Sequence, residues 1–309
     1  MSLNRKRLLS ISAASAFMIS SILALPGISS PADHLSAGLS KSELAKVQGE
    51  VGIAVIDTAR NKQFLVNETK QFPMQSVIKL PISLAVLRLV DEGKLSLQDK
   101  ITVQKKDIIP TNSPIKEVLK AKQADFTVQD LISRTIRDSD NTACDALVNH
   151  VGGAGVINEK LVEAGIKGIR VDRPIKTMAT DCMQISKFLS DPRDTAEPEA
   201  ITDLLQKLNS GNLLSKSSTA LLMEDLFNCK TGTNRLKAGL PAGWTLAHKT
   251  GTGADVSGKN IATNDVGVMV GPKGETIYIA VFTKGSQAKI EVREALMAKI
   301  AAKAAAGEL

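Results

Sequence analysis

The spacing of apolar positions changes character several times along this chain. Val51 to Ile56 and Gln63 to Val66 are short apolar runs on either side of the polar stretch Asp57 to Lys62, a pattern that predicts a β-hairpin. Just before it, Ser40-Lys41-Ser42-Glu43 forms a capping box, so a short helix should open there and end near Gly49. After Phe72-Pro73 a helical run extends from Ser76 to Val90 and is stopped by Asp91-Glu92-Gly93. Pro81 lies inside that run and lacks the amide that would bond the Val77 carbonyl, so a local kink is expected. From Leu95 to about Lys237 the spacing is mostly helical, with segments at Phe126 to Ile136, Thr142 to His150, Gly155 to Ala164, Pro198 to Leu208 and Ser217 to Phe227. Strand periodicity then returns at Trp244 to Thr250, Asp265 to Val270 and Thr276 to Thr283, the last two joined by the turn Gly271-Pro272-Lys273-Gly274. An Ala-rich helix closes the chain from about Lys289 to Ala305.

Strands and a helix at both ends, with helices between, imply one sheet assembled from the two ends of the chain. The expected class is α/β in the broad α+β sense: an antiparallel sheet with flanking helices plus an inserted all-helical domain. The boundaries read as a leader over 1–30, an α/β domain from 40–94 and 238–309, and a helical domain over 95–237. A site is expected where the sheet meets the helical insert.

The leader changes the charge argument. Asn4 to Arg7 is a basic segment, Leu8 to Leu25 an apolar stretch, and Pro26 to Pro31 a Gly/Pro/Ser-rich exit, the layout of a secretory signal peptide. An uncleaved anchor helix is the alternative. Either way the folded part is expected to be exported, periplasmic or secreted, with no stable membrane contact once the leader is cleaved. Of the 309 residues 43% are hydrophobic, so a real core is within reach. The net charge of +7 invites a nucleic-acid partner, but losing Arg5, Lys6 and Arg7 leaves +4, and with 3% aromatics base-stacking platforms are scarce. No nucleic-acid partner is expected. Cys144, Cys182 and Cys229 are an odd number at wide spacing, which argues against a disulfide framework. His34, His150 and His248 form no zinc pattern, so neither a metal nor another cofactor is expected.

Three short motifs carry candidate chemistry. Ser76-Val77-Ile78-Lys79 puts a hydroxyl and an amine three residues apart on one face at the start of a helix, a nucleophile beside a base. Ser139-Asp140-Asn141, at the mouth of the Thr142 helix, offers a second hydroxyl and an amide, although a helix cap alone would account for it. Lys249-Thr250-Gly251 lies on a strand, where lysine and glycine face the same way and leave room for a ligand backbone beside a fixed charge.

Together, the order S-x-x-K, S-D-N, K-T-G resembles the class A β-lactamases and the related penicillin-binding proteins. The resemblance extends to Phe72-Pro73-Met74-Gln75, Thr142-Ala143, Arg193-Asp194-Thr195 and Leu240-Pro241-Ala242-Gly243-Trp244, from about residue 40 to the C-terminus. It implies that Ser76 attacks a β-lactam carbonyl, that Lys79 takes part in its activation, and that Ser139 relays a proton to the lactam nitrogen. It further implies an oxyanion site between the amides of Ser76 and Thr252, Asn141 on the substrate's side-chain amide, and Lys249, Thr250 and Arg235 on its carboxylate, with Gly251 and Thr252 also among the substrate-binding residues. The implied partner is a small-molecule β-lactam, and the implied state is a monomer.

One part of the chain departs from the family pattern. The family's Ω-loop carries a glutamate shortly after an arginine, which activates the deacylating water, whereas Asp172-Arg173 is followed here by Pro174-Ile175-Lys176-Thr177-Met178. Ile175 best matches the glutamate position and cannot accept a proton. The segment from Arg173 to Asp194 is also longer than the family's usual loop, and Asp181 is its nearest later carboxylate. Two enzymatic readings follow: a serine β-lactamase with an unusual deacylation step, or a penicillin-binding protein, peptidase or sensor, that stays acylated. A non-catalytic relative should have lost Ser76 or Lys79, and both are present.

Overall fold

The structure, a computed structural model, describes residues 38–309, so the proposed leader and His34 lie outside the described residues. The first helix, α1 (Lys41–Ala45), carries the predicted capping box, with Glu43 N donating to Ser40 Oγ. The hairpin follows as β1 (Glu50–Asp57) and β2 (Lys62–Val66), and then β3 (Phe72–Pro73). A 3₁₀ turn at Gln75–Ile78 leads into α2 (Lys79–Asp91). Beyond it come β4 (Lys100–Gln104), β5 (Gln123–Thr127), α3 (Val128–Arg137), α4 (Asn141–His150) and α5 (Ala154–Glu163). The chain continues through α6 (Ile175–Asp181), α7 (Ile185–Ser190), β6 (Thr195–Ala196), α8 (Pro198–Asn209) and α9 (Lys216–Phe227). It returns to strands as β7 (Thr245–Thr252), the short pair β8 (Asp255–Val256) and β9 (Lys259–Asn260), β10 (Thr263–Val270) and β11 (Thr276–Lys284). The last element is α10 (Ile290–Ala306), ended by Gly307 in the left-handed conformation.

The main sheet has five strands in the order β2-β1-β11-β10-β7, every neighbour antiparallel. The expected assembly from both ends of the chain is therefore what forms. Strand periodicity explains how both faces are covered. On β11, Ile277, Ile279 and Val281 point to one side, where they meet Leu296, Met297 and Ile300 of α10. Tyr278, Ala280 and Phe282 point to the other, where α8 contributes Ile201, Leu204, Leu205 and Leu208. That second cluster continues without a break into the helices through Leu84, Leu131 and Leu147. Among the described residues no helix is long and apolar enough to cross a membrane.

One local expectation is sharpened and one changes. Pro81 falls in the first turn of α2, directly after the change from 3₁₀ to α geometry, so its missing amide lies where the two geometries join. Phe126 belongs to β5, not to a helix: β4 and β5 form an antiparallel pair, and α3 begins only after Thr127, whose Oγ1 accepts from Asp130 N. Each of those strands buries only one or two side chains, so their alternation is too faint to stand out from the helical background.

Candidate active site

Ser76 is placed by the sheet rather than by its own helix. Asn264 on β10 donates through Nδ2 to the carbonyls of Pro73 and Met74, at 2.8 and 3.0 Å, which pins the segment just before the serine. Gly251 on β7 is equally necessary there, since a Cβ at that position would lie 2.3 Å from the Met74 carbonyl oxygen. The space beside Lys249 is thus filled by the protein's own backbone, not by the ligand backbone the sequence suggested. Gln75, with φ of +49°, turns the chain so that half-buried Ser76 faces the cleft.

Lys79 is fully buried one turn later. Its Nζ lies 3.0 Å from Ser76 Oγ, 2.7 Å from the Ser139 carbonyl oxygen, 2.5 Å from Asn141 Oδ1 and 3.3 Å from Ser139 Oγ. Burial, and then the charge of Lys249, lower its pKa to about 7. In the neutral amine two hydrogens satisfy the Ser139 carbonyl and Asn141 Oδ1, leaving the lone pair for the Ser76 hydroxyl. The Ser139-Asp140-Asn141 turn supplies these acceptors because it is held from several sides. Ser139 sits at φ of +54°, and Asp140 caps α4 by accepting from Ala143 N while also accepting from Ile115 N. Asn112 Nδ2 donates to the Ser139 carbonyl, and Asn141 Nδ2 donates to Thr111 Oγ1.

Lys249 closes the circuit from β7, donating to Ser139 Oγ at 2.9 Å and to the Thr250 carbonyl at 3.1 Å. Burial lowers its pKa too. One hydroxyl, Ser139, therefore bridges two buried amines. Thr250 is hydrogen-bonded side chain to side chain with Thr231. Arg235 does not face the cleft: it is buried behind β7, donating to the carbonyls of Gly251 and Asn264 and pairing with Glu294. It reaches the site through Thr252, whose Oγ1 accepts from its Nη2 at 2.8 Å.

Ser76, Ser139, Asn141, Thr231, Thr250 and Thr252 line one cleft of about 440 Å³. The opposite wall is α6 and the turn after it: Ile175, Met178, Ala179, Cys182 and Met183. Asp145 on α4 fixes that wall by accepting from the backbone amides of Ile175 and Lys176 at 2.6 and 3.0 Å. Asp181 is not part of it, its carboxylate being held by Arg173 at 2.7 Å and Arg193 at 3.5 Å. A second cavity, about 460 Å³, lies between β4 and α4 and contains none of the three motifs' chemical groups.

Comparison with known proteins agrees with this geometry. A family described as the β-lactamase enzyme family matches residues 35–307. The chain is 35% identical to the extended-spectrum β-lactamase PER-1 of Pseudomonas aeruginosa, over 81% of this chain and 80% of the relative. It is 34% identical to β-lactamase VEB-1 of the same organism, over 87% and 88%. The chain belongs to the class A β-lactamase family. Solved structures match at the level of fold as well. A β-lactamase from Chitinophaga pinensis superimposes with a TM-score of 0.78 at 32% identity, covering 84% of this chain and 94% of that one. TLA-3 extended-spectrum β-lactamase also gives 0.78 at 32% identity, covering 85% and 94%.

As a member of this hydrolase family, the protein brings together in one cleft the three motifs that sequence alone could only align. Several neighbours escaped the sequence reading. Thr111, Asn112 and Thr231 touch the site from loops with no periodicity, and Asn264 and Asp145 act by holding backbone, which leaves no motif.

Proposed function

We propose that the protein is an exported serine β-lactamase that opens the lactam ring through an acyl-enzyme on Ser76. The observation carrying this reading is the unbroken set of contacts from Ser76 through Lys79 and Ser139 to Lys249. Neutral Lys79 takes the Ser76 proton as Oγ attacks the lactam carbonyl carbon. The oxyanion forms beside the amides of Ser76 and Thr252, and Asn141 takes the side-chain amide of the substrate. When the carbon–nitrogen bond breaks, Ser139 gives its proton to the leaving nitrogen and is resupplied by the Lys79 ammonium. Lys249, Thr250 and Thr252 hold the substrate carboxylate, while Arg235 orients the Thr252 hydroxyl from behind. Every group comes from one chain, so a monomer suffices.

Deacylation is the slow step in this proposal. What supports this is that the cleft wall of Ile175 and its apolar neighbours contributes no carboxylate, and that Asp181 is engaged by Arg173. The same observation favours a second reading, a penicillin-binding protein that remains acylated. Intact-protein mass spectrometry of the mature chain with a penicillin separates them. A transient adduct that disappears as penicilloate accumulates is expected for the hydrolase; a stoichiometric adduct that persists favours the binding protein, and no adduct at all overturns both.

A further inference from the structure

Behind the cleft, the structure contains a buried set of groups that the proposed chemistry does not use. His248, on β7 beside Lys249, pairs through Nδ1 with Asp265 Oδ1 on β10 at 2.8 Å, and both side chains are buried. The other ring nitrogen, Nε2, is buried with no hydrogen-bond partner in ordinary geometry among the described residues, and Cys229 is the neighbour that bears on it. Cys229, just after α9 and itself buried, lies with Sγ 3.4 Å from Thr231 Oγ1. Thr231 is in turn bonded to Thr250, and both threonines line the cleft. A line of exchangeable hydrogens therefore runs from the thiol to the end of the cleft assigned to the substrate carboxylate.

Each hydroxyl in that line has one hydrogen to give. If Cys229 is a thiol, S–H donates to Thr231, Thr231 donates to Thr250, and Thr250 donates into the cleft. If Cys229 is a thiolate, Thr231 donates to sulfur, Thr250 donates to Thr231, and Thr250 turns lone pairs toward the cleft, where a carboxylate is repelled. We propose that Cys229 is a positioning residue: it sets the direction in which Thr231 and Thr250 donate, and so couples carboxylate binding in the cleft to a proton on the buried thiol. This rests on the reading that the ligand carboxylate sits at Thr250.

The surroundings make such a proton movable. Burial pushes the thiol pKa up, but the neighbouring His248 and the charge of Lys249 outweigh it and bring the thiol down to about 6. His248 can hold its positive charge because, although burial opposes it, Asp265 raises its pKa to about 10. Lys249 is also faced by Asp265, whose charge raises its pKa, and by Arg235, whose charge lowers it. As pH rises through about 6 the thiol is lost, so carboxylate binding weakens toward alkaline pH. Carboxylate binding in turn raises the affinity of Cys229 for its proton.

The test is saturable acylation of the intact protein by a penicillin between pH 5 and 8, with the binding constant K separated from the acylation rate constant. Wild-type K should rise about tenfold across this range, the scale of one hydrogen bond to a charged group. Cys229→Ser, which keeps the donor but does not ionise there, should hold K near its acid value throughout. Thr231→Val should give a weaker K without the slope, and a penicillin methyl ester should show no slope with any variant. Melting curves verify that each variant is folded, and the rate constant should keep its own pH profile in all of them. A flat wild-type K, or an unchanged slope in Cys229→Ser, overturns the coupling; an unchanged slope in Thr231→Val overturns the hydroxyl relay in favour of charge acting through space. No acylation at any pH would instead defeat the underlying functional reading, and this inference with it.

Discussion

The two walls of the cleft differ in kind. On the Ser76 side, buried amines and hydroxyls contact one another within 3.3 Å, each held by backbone that the sheet or a helix cap fixes in place. On the α6 side the lining is Ile175, Met178, Ala179, Cys182 and Met183, and the organising contact is Asp145 on two backbone amides. The first wall can move a proton to and from a reacting group; the second can shape the cleft and exclude water but has no side chain suited to activating it. Forming a bond to Ser76 and hydrolysing that bond would therefore draw on unequal resources, which is the physical ground for the proposal that deacylation is slow.

The largest expected effect is on the reactive wall. Ser76→Ala should abolish covalent labelling by penicillins, and an adduct on that variant in the mass spectrum would sink the assignment. Lys79→Ala should leave labelling possible but slower by about 10² to 10⁴-fold, the usual contribution of a positioned base. On the opposite wall, Ile175→Glu should accelerate loss of the adduct by at least about tenfold, below the full 10² to 10⁴-fold of an optimally positioned base. An unchanged rate would mean the side chain at 175 does not meet the deacylating water. A smaller effect comes from pH. With Lys79 in its proposed role as a neutral amine, acylation should rise by about tenfold per pH unit on the acid side and level off above about 7, as read by stopped-flow labelling. A rate that fell with rising pH would contradict that role. The smallest is structural: Asp145→Ala leaves the Ile175 and Lys176 amides without their acceptor and should cost about 1–3 kcal/mol. Thermal unfolding would show this as a drop of several degrees, and an unaltered midpoint would mean that α6 is held by packing instead.

Much of this architecture was readable along the chain, and the exceptions share a cause. The Val51 to Val66 hairpin, the capping box at Ser40, the late strands and the closing helix all announce themselves locally, the strands as unbroken apolar runs bounded by turn residues and buried on both faces, the first helix by its cap. The β4–β5 pair did not, since it buries little and its partners are separated by the 105–122 segment. The helical nature of Ile175–Asp181 was also missed: the segment has no side-chain cap of its own and its first amide donates to Asp145, 30 residues away.

The same division holds at the site. Sequence by itself determined the candidate reactive groups, their order and the family, because S-x-x-K, S-D-N and K-T-G are combinations of chemically suited residues at fixed local spacing. It also placed an isoleucine where the family resemblance leads one to expect a carboxylate. Only the tertiary structure decided which groups meet: that one serine hydroxyl bridges Lys79 and Lys249, that Arg235 works from behind β7, and that Cys229 touches the cleft through Thr231. Those contacts join residues from 16 to 110 positions apart in the chain, apart from the short step between Cys229 and Thr231. A hydrogen bond depends on distance and direction in space, and neither is encoded in local periodicity until the sheet and helices have packed.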